Sequence, residues 1–345
     1  MRPARHPFVA MLALAVLIVS AAAPPLAAAA DPVLDVVSIN GGAYGTNSLN
    51  VTVATPWPGA VTMRLSNDSV SWKSMPYATS TAWALDDPDA GGTSVIGAHA
   101  VWVEWYDGSA TLLATGWDNI SYDITPPTES TLGVRIEVGK AVSTAGAVPF
   151  VVTWQNDDHG GVGAMNWDAE KSTDLGVWTH IASPVNLPGF RYSFVAGHAY
   201  RVRVRGIDLA GNIGAWYTGP SFTVRRYQES STAVKWTGTW SKVTSTSYWG
   251  GAARTSTRSG STAKLTFTGR RVAIVTRVGT NRGVIAIYIN GVRVSLVDLG
   301  APTTGYRRVV WQKSWATSAQ RTILIKVISV PGRTRGDLDA FVTGS

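Results

Sequence analysis

The chain has 345 residues, of which 45% are hydrophobic and 15% charged, with a formal net charge of +8 and no Cys. The lack of Cys excludes disulfides, thiolate zinc sites and thiol catalysis, so stability must come from packing. At about 100 to 150 residues per domain, this length predicts three compact units.

Residues 1–30 have the layout of a secretory signal peptide. Arg2 and Arg5 give a positive start, residues 8–20 form an apolar run, and Ala28-Ala29-Ala30 gives an A-x-A cleavage site before Asp31. The run is shorter than the roughly 20 residues that cross a bilayer. We therefore expect a mature chain that is secreted or attached to the cell surface, without a membrane span.

The remaining sequence is predicted to be all-β. Apolar and polar residues alternate with a period of two wherever a pattern is clear, as in Val101, Val103 and Trp105, or in Tyr200, Val202 and Val204. Further along, Asn290-Gly291 separates two such runs and predicts a tight hairpin, because both residues accept positive φ. Many short strands with frequent Gly and Pro favour three tandem antiparallel β-sandwiches.

Two features divide the chain into units. Pro126-Pro127 ends a strand-like segment, and proline lacks the amide hydrogen that a sheet needs. Near Arg225-Arg226 the charge balance reverses. The predicted units are residues 31–125, 126–225 and 226–345.

The charge is strongly asymmetric along the chain. Residues 226–345 carry eighteen Lys and Arg against four acidic residues, whereas residues 31–225 carry ten basic against eighteen acidic. Clustered charge concentrates oppositely charged partners near a surface. The C-terminal unit is therefore expected to meet an acidic partner.

Short motifs in the first two units are similar to known domain families. Ile39-Asn40-Gly41-Gly42 and Asp123-Ile124-Thr125-Pro126-Pro127 resemble the Ig-like repeats of bacterial secreted proteins. The second unit resembles a fibronectin type III domain, with Phe150-Val151-Val152-Thr153-Trp154 similar to its early strand and Asp208-Leu209-Ala210-Gly211-Asn212 similar to a late turn. Both resemblances imply β-sandwiches, and we expect these two units to act mainly as spacers.

The third unit resembles the C-terminal jelly-roll modules of exported actinobacterial proteins. The resemblance is carried by Trp236-Thr237-Gly238-Thr239-Trp240, Asn281-Arg282-Gly283 and Asp337-Leu338-Asp339-Ala340-Phe341-Val342. Such modules look related to galactose-binding-like carbohydrate-binding sandwiches. The resemblance implies architecture and attachment more firmly than any reaction.

Aromatic and basic residues near two segments of the third unit are the candidate ligand-binding residues. An exposed Trp offers a flat face to a sugar ring, and Arg offers paired donors to carboxylate or phosphate. The candidates are Trp249, Arg254, Arg258, Tyr306, Arg307 and Arg308. In the alternative interpretation these aromatics belong to the core and the cations are a solvated surface. In the second unit, the row Arg201, Arg203 and Arg205 is expected to pair with acidic residues on a neighbouring strand.

Metal and catalytic signatures are weak. Asp337 and Asp339 lie on one side of a predicted final strand, which makes them candidates for a structural calcium ion, although hydrogen bonding is the favoured role. The segments Asp86-Asp87-Pro88-Asp89 and Asn156-Asp157-Asp158-His159 are interpreted as polar turns. No H-E-x-x-H or G-x-S-x-G motif is present, and no other cofactor is expected.

The sequence therefore predicts a non-catalytic protein whose basic C-terminal module binds an acidic polysaccharide or cell-wall polymer. One alternative is a purely structural or adhesive spacer at the cell surface. Another is a cryptic glycoside hydrolase or esterase, because paired carboxylates can come from any part of a sequence. Specific nucleic-acid binding is not expected, since no known binding motif accompanies the charge.

Overall fold

The computed structural model describes residues 36–185 and 187–345. The signal peptide predicted at residues 1–30 lies outside this range. The described chain is almost entirely β-structure, as the sequence predicts, and is arranged in antiparallel sheets. No helix within this range is long and apolar enough to span a bilayer.

The first unit packs a three-stranded sheet, β1-β3-β6, against a five-stranded sheet, β2-β8-β7-β4-β5. Its neighbouring strands run antiparallel, apart from the parallel pair β2 and β8. The strands are β1 (Ser38–Ile39), β2 (Gly45–Thr46), β3 (Asn50–Ala54), β4 (Thr62–Ser66), β5 (Lys73–Pro76), β6 (Ser80–Ala84), β7 (Gly97–Tyr106) and β8 (Leu112–Tyr122).

Alternation along β7 decides which face of the larger sheet is buried. Val101, Val103 and Trp105 are fully buried, as their period-two pattern predicts. Trp102 and Glu104 point to the opposite face, where they remain partly exposed. The sheet therefore has one face in the core and one in solvent.

The second unit is a sandwich of the sheets β13-β10-β9 and β12-β11-β14-β15, with β16 also paired to β14. Trp154 and Trp167 meet in its core with ring centroids 6.0 Å apart. The strands are β9 (Thr128–Ile136), β10 (Ala147–Asp157), β11 (Ala164–Thr173), β12 (Trp178–Val185), β13 (Gly189–Val195), β14 (Ala199–Asp208), β15 (Tyr217–Thr218) and β16 (Phe222–Thr223).

Two of the three arginines of the β14 row pair with carboxylates on β11, as predicted, whereas Arg201 lies opposite Ser172 and contacts the Trp178 ring. Arg203 lies 2.5 Å from Glu170, and Arg205 lies 2.9 Å from Asp168. The Arg203 guanidinium is also 4.5 Å from the ring centroids of both Trp178 and Trp216. We call these alternating side chains on the outer face the Arg–Trp ladder.

The third unit packs a seven-stranded sheet against a small three-stranded sheet, β19-β20-β25. The order of the larger sheet is β17-β26-β21-β24-β22-β23, and its seventh strand, β18, pairs with β21. The strands are β17 (Arg225–Gln228), β18 (Val234–Thr237), β19 (Ser241–Thr244), β20 (Ala252–Ser256), β21 (Thr262–Val278), β22 (Val284–Ile289), β23 (Val292–Asp298), β24 (Gly305–Ile328), β25 (Gly336–Leu338) and β26 (Ala340–Gly344).

The predicted hairpin joins β22 and β23. Asn290 and Gly291 both have positive φ, at 48° and 83°. These values match the two-residue turn that suits the twist of antiparallel strands.

The second and third units share one hydrophobic core, whereas the first unit has a separate core. Phe222 and Val224 of the second unit belong to the same buried cluster as Val309 and Val342 of the third. Backbone hydrogen bonds reinforce this junction, including one of 2.9 Å from Val309 N–H to the carbonyl oxygen of Lys140. These two units therefore form one body.

Candidate functional site

A cleft lies beside the small sheet of the third unit, where residues from six separate segments meet. It has a volume of about 130 Å³. We call it the arginine cleft, and it is lined by Val243, Thr244, Ser245, Tyr248, Thr255, Arg277, Arg282, Tyr306, Arg335 and Asp337.

A buried ion pair supports one side of the cleft. Arg282 and Asp337 are 1% and 0% exposed, and Asp337 Oδ2 accepts hydrogen bonds from Arg282 Nε at 2.9 Å and Nη2 at 2.6 Å. Because buried charges are costly unless they are paired and hydrogen-bonded, this contact fixes both side chains. It also connects two of the segments that carry the jelly-roll resemblance.

Local backbone geometry positions Arg282. Its N–H donates to the carbonyl oxygen of Gly279 at 3.1 Å, which closes a turn between β21 and β22. At Gly283 a β-carbon would lie 2.6 Å from the carbonyl oxygen of Arg333. Glycine is therefore required there to let the two chain segments approach and place Arg282 next to Asp337.

Three buried polar atoms of the lining residues have no hydrogen-bond partner within the described part of the chain. They are Asp337 Oδ1, Thr255 Oγ1 and Arg277 Nε. Buried polar atoms in folded proteins are nearly always hydrogen-bonded, so each unpaired one needs an explanation. These three atoms have almost no accessible surface, so they make the wall of the cleft polar without being open to a ligand.

Two tyrosines supply the aromatic part of the lining. The rings of Tyr248 and Tyr306 meet edge to face with centroids 5.0 Å apart, and Arg277 lies 4.7 Å from the centroid of Tyr306. Burial raises the pKa of the Tyr248 phenol, and the Asp337 carboxylate raises it further. Tyr248 therefore stays protonated at neutral pH and can donate a hydrogen bond.

The charge of the lining is positive. It contains three arginines and one carboxylate, Asp337, which is paired with Arg282. In residues 36–185 and 187–345, no carboxylate lies within ion-pair distance of Arg277 or Arg335. An anionic group would therefore be attracted to the cleft.

Trp249 was expected to present its ring to a ligand, and the structure corrects this interpretation. The residue is only 1% exposed and belongs to the core shared by the second and third units. A β-carbon on Gly146 would lie 3.1 Å from Trp249 Nε1, which shows how closely the second unit covers the ring. The large apolar surface of Trp249 is used to join the units.

Arg307 and Arg308 also lie at this junction. Arg307 donates from Nε to the carbonyl oxygen of Val142 at 3.0 Å and from Nη1 to that of Ser247 at 2.5 Å. Arg308 forms an isolated backbone bridge with Ala141. The Arg307 guanidinium is therefore engaged with backbone carbonyls rather than directed into the cleft.

The other predicted residues are dispersed. Arg254 lies 5.0 Å from the centroid of the Trp236 ring, and Arg258 is exposed in the loop between β20 and β21. Tyr306 lines the arginine cleft, whereas Arg254 and Arg258 lie outside its lining. The structure thus does not bring the six predicted residues together.

The two carboxylates proposed for calcium are fully buried. Asp337 pairs with Arg282, and both oxygens of Asp339 accept from the backbone N–H of Trp249 at 3.1 Å. Burial raises the pKa of Asp339 to about 7. Hydrogen bonding, the role favoured from the sequence, accounts for the contacts of both.

A different set of carboxylates converges at the junction of the first and second units. Among the described residues, Asp123, Asp158 and Asp208 form a group whose oxygens lie within 4.8 Å of one another. Asp158 comes from a segment interpreted as a polar turn. Burial raises the pKa of its carboxyl, and Asp208 and Asp123 add to the effect.

Sequence patterns missed most of the cleft. Thr255, Arg277, Arg282 and Arg335 lie on different strands or loops, so no spacing connects them. Alternation along β21 could place Arg277 opposite the inward residues, but only the fold shows which arginines share a cleft.

No protein-family model and no curated protein matches the chain. Solved structures that it matches include fibronectin(III)-like modules of Clostridium thermocellum CbhA, at 13% identity and a TM-score of 0.34 over 53% of this chain and 90% of that one. An exo-β-1,3-galactanase of Phanerochaete chrysosporium matches at 11% identity and a TM-score of 0.26, over 89% of this chain and 99% of the galactanase. A Paenibacillus xanthan lyase matches at 13% identity and a TM-score of 0.28, over 88% of this chain and 36% of the lyase. At such low values, none of these matches assigns a residue role or an activity to this chain.

Proposed function

We propose that the protein is a secreted binding protein whose third unit holds an acidic polysaccharide or cell-wall polymer at the arginine cleft. The observation that carries this proposal is a lining that holds three arginines and one carboxylate, in which Arg277 and Arg335 have no carboxylate within ion-pair distance in the described part of the chain. This excess of positive charge favours an anionic ligand.

The chemistry of the lining fits a sugar unit that bears a carboxylate or phosphate. Arg277 and Arg335 offer N–H donors to the anionic group, and planar guanidinium groups suit such oxygens. Tyr248 and Tyr306 supply aromatic surface, and a cleft of about 130 Å³ suits one sugar unit rather than a long stretch of chain.

Binding without catalysis is the activity that this lining supports. Glycoside hydrolysis generally uses two carboxyl groups placed across the scissile bond. The lining contains one, Asp337, and Arg282 already occupies its second oxygen.

Binding should weaken when Arg335 is replaced by alanine. The test is affinity electrophoresis of residues 31–345 in gels containing polygalacturonate, alginate or a phosphate-rich wall polymer, with uncharged dextran as the reference. A lost charged hydrogen bond is worth about 1.5–3 kcal/mol, so we expect Arg335→Ala to weaken binding by about 10- to 100-fold.

Arg293→Ala is the matched control. It removes the same charge from an exposed position on β23, outside the lining of the cleft, and should weaken binding only slightly. Equal losses in both variants would show diffuse attraction by the basic surface and refute the cleft as the site. Failure of the unaltered chain to bind any of the three polymers would favour the spacer alternative.

A further inference from the structure

The outward face of the five-stranded sheet in the first unit presents a pair of tryptophans. Trp102 on β7 lies directly opposite Trp117 on β8 in the strand register. Their ring centroids are 6.3 Å apart and their planes differ by 23°. Trp117 is 59% exposed.

The aromatic surface continues onto β4 and the segment before β5. Arg64 lies 4.7 Å from the centroid of Trp72 and 5.5 Å from that of Tyr106. Glu104 accepts hydrogen bonds from both Arg64 and the Tyr106 hydroxyl. These contacts hold the side chains in place, and neighbouring strands lie about 4.8 Å apart, so the rings form a fixed surface roughly 10 Å across.

The core of the unit does not need these rings. The inward residues Val101, Val103 and Trp105 are fully buried on the other side of β7. A Trp left exposed beside a second Trp is costly in water and is enriched where proteins bind partners. We call the surface formed by Arg64, Trp72, Trp102, Glu104, Tyr106 and Trp117 the tryptophan face.

The charge of the first unit excludes the acidic partner proposed for the third unit. Residues 31–125 contain ten acidic and two basic residues. Both basic residues are already engaged, Arg64 with Glu104 and Lys73 with Asp87. A polyanion would be repelled from this unit.

Polar side chains are interleaved with the rings. On β8, Thr115 lies opposite Glu104 and Asn119 lies opposite Ala100, and both side chains are exposed. An apolar protein partner would bury these groups without hydrogen-bond partners, at a cost. A pyranose ring has a flat C–H face for tryptophan and hydroxyls at its edge for the polar groups, so it satisfies both kinds of surface.

We propose that the tryptophan face is a second binding surface, which takes an uncharged polysaccharide. The inference does not depend on the function of the arginine cleft. It makes the first unit a binding module rather than a spacer, with a ligand of different charge from that of the third unit.

The test is retention of residues 31–345 on insoluble cellulose, β-1,3-glucan and mannan, in salt high enough to screen the basic third unit. We expect retention on at least one of them. Trp117→Ala should weaken it about tenfold and Trp117→Phe should retain part of it, since an aromatic contact contributes about 0.5–1.5 kcal/mol beyond its buried area.

Two matched variants complete the design. Val177→Ala shortens an exposed apolar side chain in the second unit, away from the tryptophan face, and Arg335→Ala alters only the arginine cleft. Both variants should be retained like the unaltered chain. Thermal unfolding verifies that each variant is folded. The proposal fails if no neutral polysaccharide retains the chain, or if Trp117→Ala is retained fully. Self-association that disappears in Trp117→Ala, without any glycan binding, would identify a protein-docking surface instead.

Discussion

Asp339 is a carboxyl group that folding buries at the junction of the second and third units. Burial is the main cause of its raised pKa, and the Glu229 carboxylate adds to it. The N–H of Trp249 and the guanidinium groups of Arg307 and Arg226 oppose the shift without cancelling it. The folded protein therefore keeps a proton on Asp339 that the unfolded chain releases at a much lower pH.

This difference predicts that stability falls as pH rises. The contribution of Asp339 is fully present below the unfolded pKa of 3.8 and is lost as pH approaches the folded value of about 7. A shift of this size corresponds to a free energy on the order of 4 kcal/mol. Asp339→Asn should therefore be more stable than the unaltered chain at about pH 8 and lose that advantage at about pH 5, as measured by urea unfolding.

Asp298→Asn provides the opposite case. Arg333 holds the pKa of Asp298 below its usual value, so this carboxylate contributes stability above its unfolded pKa and loses it in acid. If Asp339→Asn leaves the pH dependence of unfolding unchanged, Asp339 is ionised in the folded protein and the expectation is wrong.

The binding residues could be predicted only in part from the sequence. Composition identified the third unit as basic and aromatic, and Tyr306 does line the cleft. Whether a given Trp is exposed depends on what covers it, and Trp249 is covered in part by the segment around Gly146, about 100 residues earlier in the chain. Arg282 and Asp337 were noticed as motif residues, but their pairing across 55 residues leaves no local pattern.

The Arg–Trp ladder is an element-scale feature that a single strand can produce. Side chains two residues apart along β14 share a face, so Arg201, Arg203 and Arg205 point outward together. Trp178 and Trp216 lie between them, with Arg203 in contact with both rings. Arg203 and Arg205 combine ring contacts with ion pairs, whereas Arg201 contacts the Trp178 ring alone among these groups.

We expect Arg203→Met to lower the free energy of unfolding by about 1–3 kcal/mol, because it removes two cation–π contacts and leaves Glu170 without its partner. The control variant is Arg191→Met, which breaks the ion pair between Arg191 and Glu137. The Arg191 side chain is 73% exposed. Exposed pairs contribute about 0–1 kcal/mol, so its effect should be small. Equal destabilisation in thermal unfolding would show that the rings add nothing.

Individual strands were the best-predicted level of this structure. Period-two alternation correctly assigned the buried face of β7 and β14, and Asn290-Gly291 correctly located a hairpin. These signals are local, since a strand needs only one apolar face and a tight turn needs residues that accept positive φ. The sharing of one core by two units is not local, and no pattern indicated it.

At the scale of the whole molecule, the shared core predicts how fragments behave. Residues 226–345 alone would expose the side of Trp249, Val309 and Val342 that the second unit covers. Residues 126–345 keep this surface buried. We therefore expect the shorter fragment to self-associate and bind a hydrophobic dye, and the longer one to remain monomeric, as judged by size-exclusion chromatography with light scattering.

A monomeric 226–345 fragment that unfolds cooperatively would contradict this expectation. It would mean that the apolar contacts across the junction are incidental. Binding experiments are meanwhile better made with residues 31–345 or 126–345 than with the third unit alone.

The continuous core also has a mechanical consequence. A polymer anchored at the cleft and pulled by flow would transmit its tension through β24 and β26 directly into the second sandwich, because side chains from both interlock there. The first unit has a core of its own, and Pro126-Pro127 connects it to the rest. Under tension, we therefore expect the connection between the first and second units to extend first near these prolines. The second and third units should move together as one rigid body.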